Sequence, residues 1–212
     1  METMRMAAMA RTPRRDTDDE IIIAIGDDGA FMPAGKLEAH FGGVQHVAVS
    51  IFVFAGERLL IQRRAFGKYH SGGQWANTCC THPRWGEAPA ACARRRLGEE
   101  LGFTLPLTAR GVVDYRADVG NGMIENERVH VFEASLPASA ARGPDALSLD
   151  RFDPAEVQAV AWRDRTELRI AIDQEPELFT PWLRIYLDRW AELGLSSRDW
   201  PGVSARIAPA TS

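Results

Sequence analysis

The sequence predicts an α/β (α+β) fold, a mixed β-sheet sandwiched between helices. Three observations carry this reading. Short runs rich in Val, Ile and Phe recur between turn signals. A helix-forming segment with a Gly stop lies between two groups of them. Two further helix starts follow towards the C-terminus, so strands and helices alternate in mixed order. The chain has 212 residues, 45% hydrophobic and 25% charged, enough for one domain with a sizeable core.

Residues 1–20 mix Met, Ala and Arg without a continuous apolar stretch and end in acidic residues; they read as a disordered tail. Ile21 to Ile25 is an apolar run closed by Asp27-Asp28-Gly29, a hairpin signal. Val44 to Phe54, turned by Ala55-Gly56 into Arg58 to Gln62, predicts a strand pair. Ala65 to Gln74 holds three Gly and no periodicity, and is a loop. Glu87 to Leu101 is rich in Ala and Arg and stops at Gly102, which predicts a helix. Val112 to Arg116 and Ile124 to Glu133 predict strands joined by a Gly-Asn-Gly turn. Pro137 to Pro144 is an Ala/Ser/Gly surface loop. Asp153-Pro154 predicts a short helix, and Thr180-Pro181 a longer one to about Leu195. Residues 21–195 form one domain, and 196–212 a polar C-terminal tail. No repeat and no second domain is evident.

A net charge of −4 offers no general attraction to nucleic acid or an anionic membrane, so an anionic ligand needs a local basic cluster. Three cysteines, two adjacent, make no disulfide framework and indicate a reducing cytoplasm. No apolar run approaches the roughly 20 residues of a membrane helix. No feature specifies an oligomeric state.

Three segments could carry chemistry. Asn77-Thr78-Cys79-Cys80-Thr81-His82-Pro83 sets a thiol beside an imidazole: a metal half-site, a nucleophile/base pair, or two buried cysteines beside a surface histidine. Glu125 and Glu127 share one face of a predicted strand with Val129 and Val131, their Cα atoms roughly 7 Å apart. Two such carboxylates want a cation between them, unless they form the solvated end of an edge strand. The third segment is the Glu87–Phe103 helix, whose charges would otherwise be a solvated face of ion pairs. Its order, Glu87, seven residues, then Arg95-Arg96-Leu97-Gly98-Glu99-Glu100-Leu101-Gly102-Phe103, resembles the Nudix box. Thr81 stands where the first Gly belongs and Arg96 where the first helical Glu belongs, departures that argue against Nudix hydrolysis.

Together with Gln45-His46-Val47, Arg63-Arg64-Ala65 before Lys68, Tyr115-Arg116-Ala117, Glu125-Asn126-Glu127 and Thr180-Pro181-Trp182, these motifs resemble the type I isopentenyl-diphosphate isomerases over residues 20–195. The resemblance implies a Nudix-like fold and interconversion of isopentenyl and dimethylallyl diphosphate through a tertiary carbocation. It implies one Mn²⁺ or Zn²⁺ held by His40, His46, His82, Glu125 and Glu127. The gap from His40 to His46 is one residue shorter than is usual in the family. A Mg²⁺ accompanying the substrate diphosphate matches Glu100, and Lys36, Arg64, Lys68 and Arg96 match the basic residues around that group. Glu127 and Tyr115 resemble the proton-delivery side, and Cys80 the thiol on the opposite face, with an ordinary pKa near 8.5 that nearby cations can lower. Trp182, and Trp75 with it, could face the carbocation. Alternation aims Cys79 away, as a structural residue. His70 and His130 match nothing and read as ordinary polar residues. The competing readings are a Nudix hydrolase and a non-catalytic module built on a structural zinc site.

Overall fold

The computed structural model describes residues 20–142 and 146–196; the predicted tails lie almost wholly outside them. Ile21–Ile25 (β1) and Phe31–Gly35 (β2) form the expected hairpin. A short helix, Lys36–Gly42 (α1), follows and ends at Gly43 with φ 60°, a left-handed stop suited to glycine. His46–Ala55 (β3) is buried along its whole length. It turns at Gly56 into Arg58–Arg64 (β4), but the two pair only at Phe54–Leu59 and Ala55–Arg58. Beyond that hairpin end β4 leaves to pair with Trp75–Ala76 (β5) and with Val157–Arg163 (β9).

The space beside β3 is filled on one edge by Cys79–Thr81 (β6), antiparallel. On the other edge Met123–Leu136 (β8) runs parallel through ten paired residues. Thr108–Gly120 (β7) pairs antiparallel with β8 around the turn Gly120-Asn121-Gly122, all three at positive φ. Among the described residues the result is one mixed sheet of nine strands.

The sheet is covered on both faces. Pro89–Leu101 (α2) packs Cys92, Ala93, Leu97 and Leu101 on Val49, Ile51 and Val53 of β3. Arg165–Gln174 (α3) and Pro181–Asp188 (α4) cover the opposite face, where Ala48, Phe52 and Phe54 meet Leu183, Tyr186 and Leu187. Alternation along one strand thus divides the core into two layers. Leu97 is fully buried under α2. Leu97→Ala should cost about 2–5 kcal/mol through lost burial and the cavity left, read as a shifted midpoint in denaturant unfolding with an unchanged slope.

Two sequence expectations are corrected. Asp153-Pro154 opens no helix: the Asp153 side chain accepts from the Ala155 N–H, its carbonyl accepts from Glu156 and Val157, and the chain enters β9. The same residues that cap a helix also cap a turn. The Thr180 helix is capped as expected, Thr180 Oγ1 accepting from the Leu183 N–H at 3.4 Å, but it ends at Asp188 rather than Leu195. A 3₁₀ turn, Trp190–Leu193, continues to Gly194 at φ 67°. The helix α3 was missed although Asp164 caps it by accepting from the Glu167 N–H at 2.9 Å, a legible start signal. No helix among the described residues is long and apolar enough to cross a membrane.

Candidate active site

Strand register assembles a pocket at one end of β3. His46, the first residue of β3, pairs with Glu127 of β8, and Glu127 pairs in turn with Tyr115 of β7. Buried and half-buried residues alternate from Met123 to Val131, so Glu125 and Glu127 share the inner face with Val129 and Val131. From the opposite edge of β3, β6 sets Cys80 beside Ser50, and His82 follows directly. The helix α1 supplies His40 in its last turn, with Lys36 one turn before it.

His40, His46, His82 and Glu127 are buried, with one donor atom from each lying within 4.8 Å of the others. Nδ1 of His40 donates to the Lys36 carbonyl at 2.7 Å and Nδ1 of His46 to the Val44 carbonyl at 2.7 Å. Backbone carbonyls thus hold the Nδ1 protons and leave the Nε2 lone pairs; both Nε2 atoms are buried with no hydrogen-bond partner. Metal-binding histidines are held in this way, and orphaned buried acceptors facing a carboxylate fit a cation. Burial, then the neighbouring His82 and His46, hold the His40 imidazole down to about 3, and burial also lowers His82. Neutral imidazoles are the form that binds metal.

His82 Nε2 lies 2.9 Å and His46 Nε2 3.6 Å from Glu127 Oε1. Burial alone would raise the Glu127 carboxyl, but the neighbouring His46 and His82 imidazoles outweigh it and hold it well below the usual range. Glu125 goes the other way, raised well above that range by burial and then by the charge of Glu127. Tyr115 Oη lies 2.7 Å from Glu125 Oε2 and 2.7 Å from Glu127 Oε2. One hydroxyl proton cannot serve both oxygens. A proton retained on Glu125 resolves the chain, with Glu125 donating to Tyr115 and Tyr115 to Glu127. Tyr115 and the two carboxylates are therefore one proton-sharing unit.

Cys80 lines the same pocket. Its thiol donates to Asn77 Oδ1 at 2.8 Å and lies 3.2 Å from Ser50 Oγ, which itself meets the Tyr186 hydroxyl at 2.8 Å. Burial pushes the thiol well up from its ordinary value, a hydrogen bond with Ser50 opposes this, and Glu127 and Glu125 push it further up. The shift runs opposite to the sequence expectation, because burial penalises the thiolate and the charges acting on the sulfur are the Glu127 and Glu125 carboxylates rather than cations. Cys79 is fully buried in the layer beneath α2.

The cavity between these side chains is about 20 Å³, room for about one water molecule. Lys36, Arg64, Lys68 and Glu100 line it, as does Trp182. The Trp182 ring carries the Arg64 guanidinium at 5.2 Å. Arg96 stands behind this wall: it bonds Glu99 at 3.1 Å, Glu100 at 2.7 Å and Glu156 at 3.3 Å. Trp75 packs against the core outside the pocket lining. His130 is a half-buried residue on the outer face of β8. Sequence reasoning missed His70, Gln62 and Glu156, which line the pocket, and Ser50 and Tyr186 behind Cys80. Gln62 donates to Glu100 at 3.1 Å and Lys68 to Glu156 at 2.5 Å. Packing of distant segments, strands, a loop and a helix, brings these to the site.

Residues 44–183 match the NUDIX domain family. The isopentenyl-diphosphate Delta-isomerase of Cereibacter sphaeroides is 55% identical over 161 residues, spanning 76% of this chain and 86% of that protein. The protein of the same name from Dinoroseobacter shibae is 54% identical over 166 residues, 78% of this chain and 90% of its own. Among solved structures, a Deinococcus radiodurans protein superposes with a TM-score of 0.55 at 14% identity, covering 73% of this chain and 90% of that one. The MutT protein of Methanosarcina mazei gives 0.52 at 14% identity, covering 69% and 93%. At that identity the two structures share the fold alone.

Proposed function

The chain belongs to the NUDIX domain family and, within it, to the type I isopentenyl-diphosphate Delta-isomerases, and from that premise we propose how its residues divide the work of isomerisation. The substrate is a five-carbon prenyl diphosphate. Its terminal alkene carbon gains a proton, positive charge develops at the tertiary carbon, and C2 loses a proton. The site must therefore exchange protons at two positions of one substrate. Carrying this reading is the placement of two proton-exchanging units on opposite edges of β3 around one pocket: the Tyr115–Glu125–Glu127 unit from β8 and β7, and the Cys80 thiol from β6.

The Tyr115 unit hands over the first proton and Cys80 exchanges the second; the reverse reaction uses the same groups with roles exchanged. Lys36, Arg64 and Lys68 hold the diphosphate, with Arg96 bracing the carboxylates behind it. Trp182 faces the carbocation and, with the apolar face of β8, keeps out water that would quench it to an alcohol. His40, His46, His82, Glu125 and Glu127 would hold Mn²⁺ or Zn²⁺, and Glu100 the Mg²⁺ of the substrate; these ions would supply positive charge that fixes the carboxylates and neutralises the diphosphate. Three free cysteines support a reducing, cytoplasmic setting.

Hydrolysis is disfavoured by the box helix itself. Arg95 makes two 2.7 Å bonds to Glu87 and one of 3.0 Å to Glu99, so two of the helix-region carboxylates are already neutralised. A hydrolase needs such carboxylates for metal ions that activate water. Incubation with isopentenyl diphosphate in deuterated water should yield dimethylallyl diphosphate labelled at the terminal carbon, with almost no phosphate or pyrophosphate. Rapid phosphate release without isomer would overturn the reading. For the metal set, His40→Ala should lower bound metal in elemental analysis and turnover together. Full occupancy with normal turnover would remove His40 from the set.

A further inference from the structure

Four imidazoles converge on this pocket, and the ligand set above uses three. The fourth is His70, buried at 3% exposure in the loop between β4 and β5. Its Nε2 stands 3.7 Å from Glu125 Oε1, and its ring stacks on that of His40 with centroids 5.6 Å apart. Donor atoms of His40, His70 and Glu125 lie within 4.8 Å of one another. Glu125 belongs to this group and not to the tight group of His40, His46, His82 and Glu127. His40 is common to both, and its Nε2 is a buried orphan.

We propose that His70 is a further metal ligand, binding through Nε2 on the Glu125 side of the centre, beside His40 and Glu125. This rests on the metal-centre reading above. The local backbone is built to present the residue. Ser71 adopts φ 51°, a left-handed conformation unusual for serine, and Gly73 follows at 78°. A Cβ at Gly72 would stand 2.6 Å from the Phe66 carbonyl oxygen, so the turn folds back too tightly for a larger residue. The His70 carbonyl accepts from Arg64 at 3.3 Å, and Ser71 Oγ lies 3.3 Å from Nδ1, able to hold that proton and leave Nε2 for the ion. A nitrogen-rich set of this kind selects borderline first-row ions such as Zn²⁺ or Co²⁺ over Mg²⁺.

The test uses Co²⁺, whose visible d–d absorption reports its ligands, added to chelator-stripped native protein, His70→Ala and His70→Asn. Native protein should take up one Co²⁺ at this centre. Both variants should lose affinity by about tenfold or more in chelator competition and show an altered d–d band. Thermal unfolding of the stripped proteins checks that each is folded. Asn retains an N–H able to reach Glu125 but is a poor ligand. If His70→Asn restores native affinity and spectrum, His70 only positions Glu125 and the proposal falls. It falls equally if both variants bind Co²⁺ as the native protein does. Failure of the native protein to bind Co²⁺ would instead remove the metal-centre reading, and His70 with it.

Discussion

Cys80→Ala should reduce isomerisation on the order of 10²–10⁴-fold, the range expected for loss of a positioned proton-transfer group, while Cys79→Ala leaves it nearly intact. The two sulfurs are neighbours in sequence and sit on opposite faces of β6. Cys80 lines the pocket and is aimed by Asn77 and Ser50; Cys79 packs beneath α2 beside Cys92 and Leu97. Alanine removes only one sulfur atom in each case, so both variants should fold, with Cys79→Ala costing about 1 kcal/mol from lost packing. Steady-state conversion and thermal unfolding, measured side by side, separate activity from stability. A dead Cys79 variant beside an active Cys80 variant would mean that the pocket uses the other face of the strand.

Arg96→Ala should destabilise the protein by about 3–5 kcal/mol, because it strips the cation from buried carboxylates and leaves their charge uncompensated. Arg96 is 2% exposed and bonds Glu99, Glu100 and Glu156, two of which line the pocket. Its loss should also disturb diphosphate binding through Glu100, the proposed Mg²⁺ ligand. Lys68→Ala is the companion variant, since Lys68 lines the pocket directly and is paired with Glu156. It should raise KM more than it lowers kcat, with a smaller effect on stability. Equal and small stability losses in both variants would show that Arg96 does not brace the carboxylate wall.

The helix α2 and the strands β3, β7 and β8 were legible because their signals are local: a Gly stop, β-branched runs, a Gly-Asn-Gly turn. The helix α1 has no side-chain cap and only seven residues, so it left little trace in the sequence. The strand β9 was obscured by Asp153-Pro154, whose turn reads like a helix start. His70 was passed over for a different reason. It sits in a loop with no periodicity, and its value comes from stacking on His40, a residue thirty positions earlier.

By itself, the sequence determined the chemistry that could be present: an α/β sheet sandwich, a box helix with arginine where a hydrolase has glutamate, and the residue types of the proposed site. Motif order and alternation within single strands are one-dimensional properties, so Glu125 with Glu127, and Cys80 apart from Cys79, could be read without a fold. Tertiary structure decided which of these residues share space. Parallel pairing of β3 with β8 brings His46 to Glu127, and antiparallel pairing with β6 brings Cys80 to Ser50. It brings Glu156 to Arg96 and carries His70 to Glu125. Those outcomes depend on strand register and a left-handed turn, and register is set by burial of whole faces rather than by any local motif.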